Sequence, residues 1–423
     1  MSIQLTTLPN GLRIITDHAS EMDSLALGVW VGVGTRHEDL CENGIAHMLE
    51  HMMFKGTPTR SSKQISDQIE DAGGQFNAYT GRETTAYYIR ILKDHLDLSL
   101  DVLSDMLQNS LFPEDEIERE RAVILQEIKM YEDSPDDLVF EYTQKSAFPD
   151  QALGTSGLGT PAIVSKITQA DLKNYIGLHY APNRIVISCA GDVDHDDFVK
   201  RVAKTFSNLP AVNLVGQDPG YKAAQYAPHH SLLQKDTEQA HIVLAFEGLS
   251  RLDPRYPTQR ILSNILGGGT SSRLWQEIRE KHGLVYTIQS FQDSYQDSGL
   301  LGIYAGTGPD ELQKLIPLAV EQIRSMSNHV TDQELARAKT QITSSTRMGR
   351  EKMMTRADQQ GRYVLNHGVP FEVMPYVEKI NSVTAQNVID LAQDIFARKL
   401  LVSAVGPIGN LMTPEEIQQK IAA

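Results

Sequence analysis

Ala46-His47-Met48-Leu49-Glu50-His51-Met52-Met53-Phe54-Lys55-Gly56-Thr57 and Gln259-Arg260-Ile261-Leu262-Ser263-Asn264-Ile265-Leu266-Gly267-Gly268-Gly269-Thr270 lie under one another without a gap. Apolar residues coincide at helical spacing, and both stretches end in Gly-Thr. The flanks repeat as well. Residues 241–246 match a strand pattern at 25–31, and 274–281 occupies the place of a helix at 65–72. Residues 331–339 match 113–121, and Thr331 with Glu334 forms a capping box. Such self-similarity predicts two homologous halves of about 200 residues each.

Within the first half, residues 11–16 and 25–34 read as strands. Asn43 is the expected N-cap of the helix that follows, and Gly56 with Pro58 stops it. Ser61 and Gln64 open a second helix that ends at Gly73-Gly74. Strands are expected at 75–80 and 84–92 around a turn at Gly81-Arg82, then long helices at 96–107 and 114–131. The class is α+β. Glycine, proline, glutamine and asparagine concentrate over 210–234, where periodicity fades. The division read from the sequence is 1–215, a linker at 216–234, and 235–423.

A chain of 423 residues is too long for one ordinary core. No stretch approaches the length of an apolar membrane span. The first residues lack a basic-then-apolar leader, which predicts a cytoplasmic, bacterial location. Cys41 and Cys189 are too few for a disulfide framework and read as buried reduced thiols. A net charge of −15 argues against nucleic acid as a partner. An acidic surface serves solubility; a cleft that prefers basic peptides is the alternative reading.

The first copy holds His47-x-x-Glu50-His51. On a helix the two imidazoles lie one turn apart on one face, where they can share a Zn²⁺ ion. Glu50 can then reach a water at the metal. Two histidines and a water leave zinc one ligand short, and a carboxylate is expected. Glu120 and Glu127, seven apart on one face of the 114–131 helix, are the candidates. In the second copy His47 becomes Arg260, Glu50 becomes Ser263 and His51 becomes Asn264, while Glu120 becomes Ala338 and Glu127 becomes Ser345. All five vanish together while the apolar framework persists, as expected for a set that carries chemistry.

Other features have plainer readings. Met48, Met52 and Met53 are core filler. The run Gly267-Gly268-Gly269-Thr270 lacks the Gly-Lys-Ser/Thr ending of a phosphate loop and reads as a hinge or close-packing loop.

His47-x-x-Glu50-His51 followed by Glu127, with an active and an inactive copy, resembles the pitrilysin-type zinc peptidases (inverzincins), in particular the mitochondrial processing peptidase-like branch and its bacterial members. The resemblance implies one Zn²⁺ ion on His47, His51 and Glu127, Glu50 as general base and Glu120 as a supporting glutamate. It implies that Arg279 and Tyr286, in Arg279-Glu280-Lys281-His282-Gly283-Leu284-Val285-Tyr286, bind the substrate backbone or the developing oxyanion. Gln75-Phe76-Asn77-Ala78-Tyr79 resembles the edge strand that pairs with an extended peptide, with Asn77 and Ala78 at its centre. The implied fold is a clamshell of two halves around a central cleft, each a mostly antiparallel sheet packed with helices. The implied function is zinc-dependent endopeptidase action on extended peptides or unfolded protein. A homodimer is expected, with a heterodimer containing an inactive sister subunit as the alternative. A non-catalytic partner subunit or an assembly module should have lost the motif, which is intact here.

Overall fold

The computed structural model describes residues 2–209 and 222–423. Residues 216–221 of the expected linker lie outside the described residues. Two sheets carry the fold, as the α+β reading requires. The first orders its strands β1 (Ile3–Thr7), β2 (Arg13–His18), β6 (Ile185–Gly191), β3 (Ser24–Val31), β5 (Thr85–Leu92) and β4 (Gln75–Thr80). The second orders β7 (Ser231–Gln234), β11 (Leu401–Gly406), β8 (Ala240–Glu247), β10 (Gly299–Thr307) and β9 (Val285–Ser294). Each sheet is antiparallel except for one pair, β2 with β6 and β7 with β11. The second sheet thus repeats the first from β2 onward, which is the duplication seen in the sequence. Strand β7 falls inside the stretch expected to be linker.

The chain packs as two compact units that do not follow a linear cut of the sequence. One comprises Met1–Ile128, Thr155–Lys222 and Arg347–Glu372; the other comprises Lys129–Gly154, Ala223–Thr346 and Val373–Ala423. The expected division at 1–215, 216–234 and 235–423 is a linear cut of the sequence, whereas packing exchanges one segment in each direction.

The cause is visible in β3. Leu25, Leu27, Val29 and Val31 face one side of the first sheet and join a core with α1 (Ile45–Met52), α2 (Ser62–Asp71), α3 (Leu96–Asn109) and α4 (Glu114–Glu132). Ala26 and Trp30 face the other side, where the helix Met353–His367 covers them. A strand apolar on both faces needs a layer on each. Gly361 makes the approach possible, since a Cβ there would sit 2.5 Å from the Trp30 ring. Trp30 Nε1 donates to Asp358 at 2.9 Å, and Ser188 Oγ donates to the Ala357 carbonyl at 2.9 Å. The other unit solves the same problem with α5 (Pro135–Ala147). Ile242, Leu244 and Phe246 of β8 join one core, while Val243 and Ala245 meet Leu138 and Val139 of α5.

Most local expectations hold, but of the two thiols expected to be buried only Cys189 is, and Cys41 is exposed. Ser61 caps α2 with Gln64 in a capping box, and Thr331 does the same with Glu334. The segment expected as a helix at 274–281 forms a π-helix over Trp275–Lys281. Among the described residues no helix is long and apolar enough to cross a membrane.

Candidate metal centre

The site begins at the entrance to α1. Asn43, expected as the cap, does not cap it; Gly44 does, in the left-handed region at φ 101°. The cap's missing acceptor is supplied by a buried carboxylate. Glu38 Oε1 accepts from Ala46 N at 2.8 Å, and Oε2 accepts from Gly44 N at 3.0 Å and Asn43 Nδ2 at 2.9 Å. The Gly44 and Ala46 amides are backbone donors that a helix start leaves without intrahelical partners. Burial pushes the Glu38 carboxyl up to about 7 against those hydrogen bonds.

Helix α1 buries Ile45, Ala46, Met48, Leu49 and Met52. That leaves His47, Glu50 and His51 on its half-buried side. The imidazole rings stand 4.7 Å apart, edge to face. Glu127, from α4, places Oε2 3.9 Å from Nε2 of both histidines. Each of the three residues offers one donor atom, and these atoms lie within 4.8 Å of one another. Tetrahedral zinc with bonds of ~2.1 Å needs donors about 3.4 Å apart, so small side-chain adjustments suffice and the set fits. Burial, then the neighbouring His51, lowers the His47 pKa to about 4. At neutral pH its ring is uncharged and its lone pair is free for a metal.

The choice between the two candidate carboxylates follows from where each points. Glu120 Oε2 sits 2.8 Å from His51 Nδ1, and its Oε1 meets Lys55 Nζ at 2.6 Å. It therefore holds the ring nitrogen on the far side from the donor cluster, the carboxylate–histidine arrangement that fixes a tautomer. Burial would raise the Glu120 pKa, but Lys55 and His51 hold it below the usual carboxylate range. Glu50 lies beside the cluster, with Oε2 accepting from Thr80 Oγ1 at 2.5 Å. Burial raises its pKa despite that bond.

Asn77 and Ala78 lie on β4, the terminal strand of the first sheet. The Ala78 amide donates to Asn77 Oδ1 at 2.8 Å. Arg279 and Tyr286 belong to the other unit and form a cluster of their own. The Arg279 guanidinium lies 4.0 Å from the Trp275 ring centroid and 5.4 Å from that of Tyr286. Tyr286 is 74% exposed.

Three contributors escape the sequence reading. Lys55 stands four residues after His51, so helical spacing could have flagged it. Thr80 and Glu38 carry no such signal, because only the fold brings them to α1. In the second copy, Arg260 bonds the Tyr376 hydroxyl and Ser263 Oγ meets Ser290 Oγ at 2.9 Å. Structural hydrogen bonds have replaced the donor set.

Comparison with known proteins finds two family models in succession along the chain. A model described as Insulinase (Peptidase family M16) matches residues 13–161, and one described as Peptidase M16 inactive domain matches 166–342. A zinc protease of Rickettsia felis is 39% identical over 408 residues, covering 96% of this chain and 98% of its own. The chain belongs to the M16 peptidase family. A zinc protease of Bacillus subtilis is 37% identical over 410 residues, covering 97% and 99% of the two chains. The probable mitochondrial-processing peptidase subunit beta of Arabidopsis thaliana is 34% identical over 422 residues, covering 96% of this chain and 79% of its own. The M16 fold recurs in a crystal structure of a protease from Helicobacter pylori, with a TM-score of 0.87 at 22% identity, covering 96% and 99%.

Proposed function

We propose that this M16 family member is a zinc endopeptidase that hydrolyses extended or unfolded peptides, with Glu50 as its general base. The observation that carries the reading is the convergence of His47, His51 and Glu127 beside the Glu50 carboxylate. These three residues would hold the ion. When bound, zinc supplies Lewis acidity that polarises a carbonyl and lowers the pKa of water toward ~7.

The chain's own groups do the rest. Glu50 takes the proton of the attacking water and returns it to the leaving amine as the C–N bond breaks. Its partly desolvated carboxylate is a stronger base than a solvated one. Glu120 holds the His51 ring in one orientation. The free edge of β4, at Asn77 and Ala78, pairs with the substrate backbone, a mode that selects extended chains and tolerates many sequences. Arg279 and Tyr286 are assigned to the substrate backbone or the developing oxyanion, supported by the family resemblance and by the packing of Arg279 against Tyr286.

Since one chain carries both the donor set and its inactive counterpart, no inactive sister subunit is required, and a homodimer is the proposed assembly. Light scattering should give twice the chain mass of 47.0 kDa. The activity is tested with a quenched extended peptide, with and without chelator. Cleavage that stops on chelation and returns with zinc supports the reading, and a metal-loaded chain that cleaves no unfolded substrate overturns it.

A further inference from the structure

We propose that Thr80 is the residue that positions Glu50 for proton transfer, an inference that rests on the general-base reading of Glu50. Thr80 is the last residue of β4, and its hydroxyl donates to Glu50 Oε2 at 2.5 Å. Among the described residues the Glu50 carboxylate has no other hydrogen-bond or ion-pair partner. The bond anchors one oxygen and leaves Oε1 to meet a water.

Anchoring matters because the terminal torsion of a glutamate is broad and twofold, so a free carboxylate sweeps many orientations. A general base must lie within hydrogen-bond reach of the proton it takes, and misplacement by an ångström can cost much of the rate. The hydroxyl that does the anchoring is itself restrained. Threonine is stiff at χ1. Thr80 also sits opposite Thr85 in the β4–β5 register, and Thr85 donates to the Val33 carbonyl at 2.9 Å. Ala78, proposed to meet the substrate, precedes Thr80 by two residues and points to the same face. One strand therefore carries both the substrate edge and the hydroxyl that sets the base.

The competing role is a plain tie between α1 and β4. The test compares zinc-loaded full-length wild type with Thr80→Val, Thr80→Ser, Glu50→Gln and the Thr80→Val/Glu50→Gln double variant. Valine keeps the β-branched shape and strand preference while removing the donor. On one quenched extended peptide, Thr80→Val should lower kcat roughly ten- to a hundredfold, with KM, zinc content and melting temperature unchanged. Thr80→Ser should recover most of the rate, and the double variant should be no slower than Glu50→Gln alone. Crystals should show Glu50 hydrogen-bonded to Thr80 in wild type and spread over more than one rotamer in Thr80→Val. Equal loss in the serine and valine variants would reduce Thr80 to a structural tie. A wild-type kcat in Thr80→Val beside an inactive Glu50→Gln overturns the positioning role alone. Full activity in Glu50→Gln overturns the general-base reading and, with it, the role given to Thr80.

Discussion

Asp17 and Arg356 form a buried ion pair across 339 positions of sequence, their side chains 1% and 2% exposed. Arg350 reaches the other carboxylate oxygen at 2.5 Å, and Gln360 Nε2 approaches it at 3.4 Å. This cluster pins the helix Met353–His367 to β2 of the first sheet. Removing one partner of such a pair strands a charge in the interior. Asp17→Ala should destabilise the metal-bearing unit by about 3–5 kcal/mol. Urea unfolding measures the loss, and hydrogen exchange should rise first in residues 353–367. Unchanged protection there would show that apolar contact alone holds the helix.

Replacing Glu50 by Gln removes the proposed proton acceptor and leaves all three proposed ligands in place. Zinc content by elemental analysis should stay at one ion per chain. Peptide hydrolysis should fall by ~10²–10⁴, the range typical for loss of a general base.

The two glutamates of α4 should separate cleanly. Glu127→Ala removes a proposed ligand and should abolish stoichiometric zinc binding. Glu120→Ala removes the group that orients His51, which should weaken zinc affinity by about 10–100-fold without abolishing it. Competition with a chromogenic chelator gives both numbers, and equal losses would contradict the different roles drawn from their geometry.

Asp105 provides the pH prediction. Its Oδ2 accepts from Thr57 at 2.6 Å, Thr59 at 2.7 Å and Arg60 at 2.7 Å, closing the turn that follows α1. Burial would raise its pKa, but these bonds and that from Asn109 hold it at about 2. Between about 2 and the ordinary 3.8 the unfolded chain binds more protons than the folded one, so stability rises with pH across that window. The contribution is complete above the ordinary value and is lost as pH falls through about 2. Asp105→Asn should be less stable at neutral pH and show a flatter acid limb in thermal melts.

Much of this was open to a reader of the sequence. The period of Ala46 to Thr57 fixes a helix, its displaced copy at 259–270 reveals the duplication, and capping boxes at Ser61 and Thr331 mark helix starts. One-turn spacing on α1 picks out the two histidines, and a seven-residue interval on α4 narrows the third donor to Glu120 or Glu127, between which only the resemblance chose. Three things were not legible. Both faces of β3 are apolar, but nothing in the pattern says which distant helix covers Trp30. Asn43 is a good capping residue, yet the left-handed turn at Gly44 and the buried Glu38 take its place. Thr80 reaches Glu50 only because β4 runs beside α1, a relation between elements that no local period encodes.

The exchange of segments bears on how the protein is made. A ribosome delivers the proposed metal ligands first, but the layer over Trp30 and Ala26 comes from the helix Met353–His367. At ordinary elongation rates that helix emerges on the order of ten seconds after the first sheet's strands. Until then the sheet has one bare apolar face, and the nascent chain is exposed to chaperones rather than finished. The first unit is thereby completed only after the helix Met353–His367 has left the ribosome.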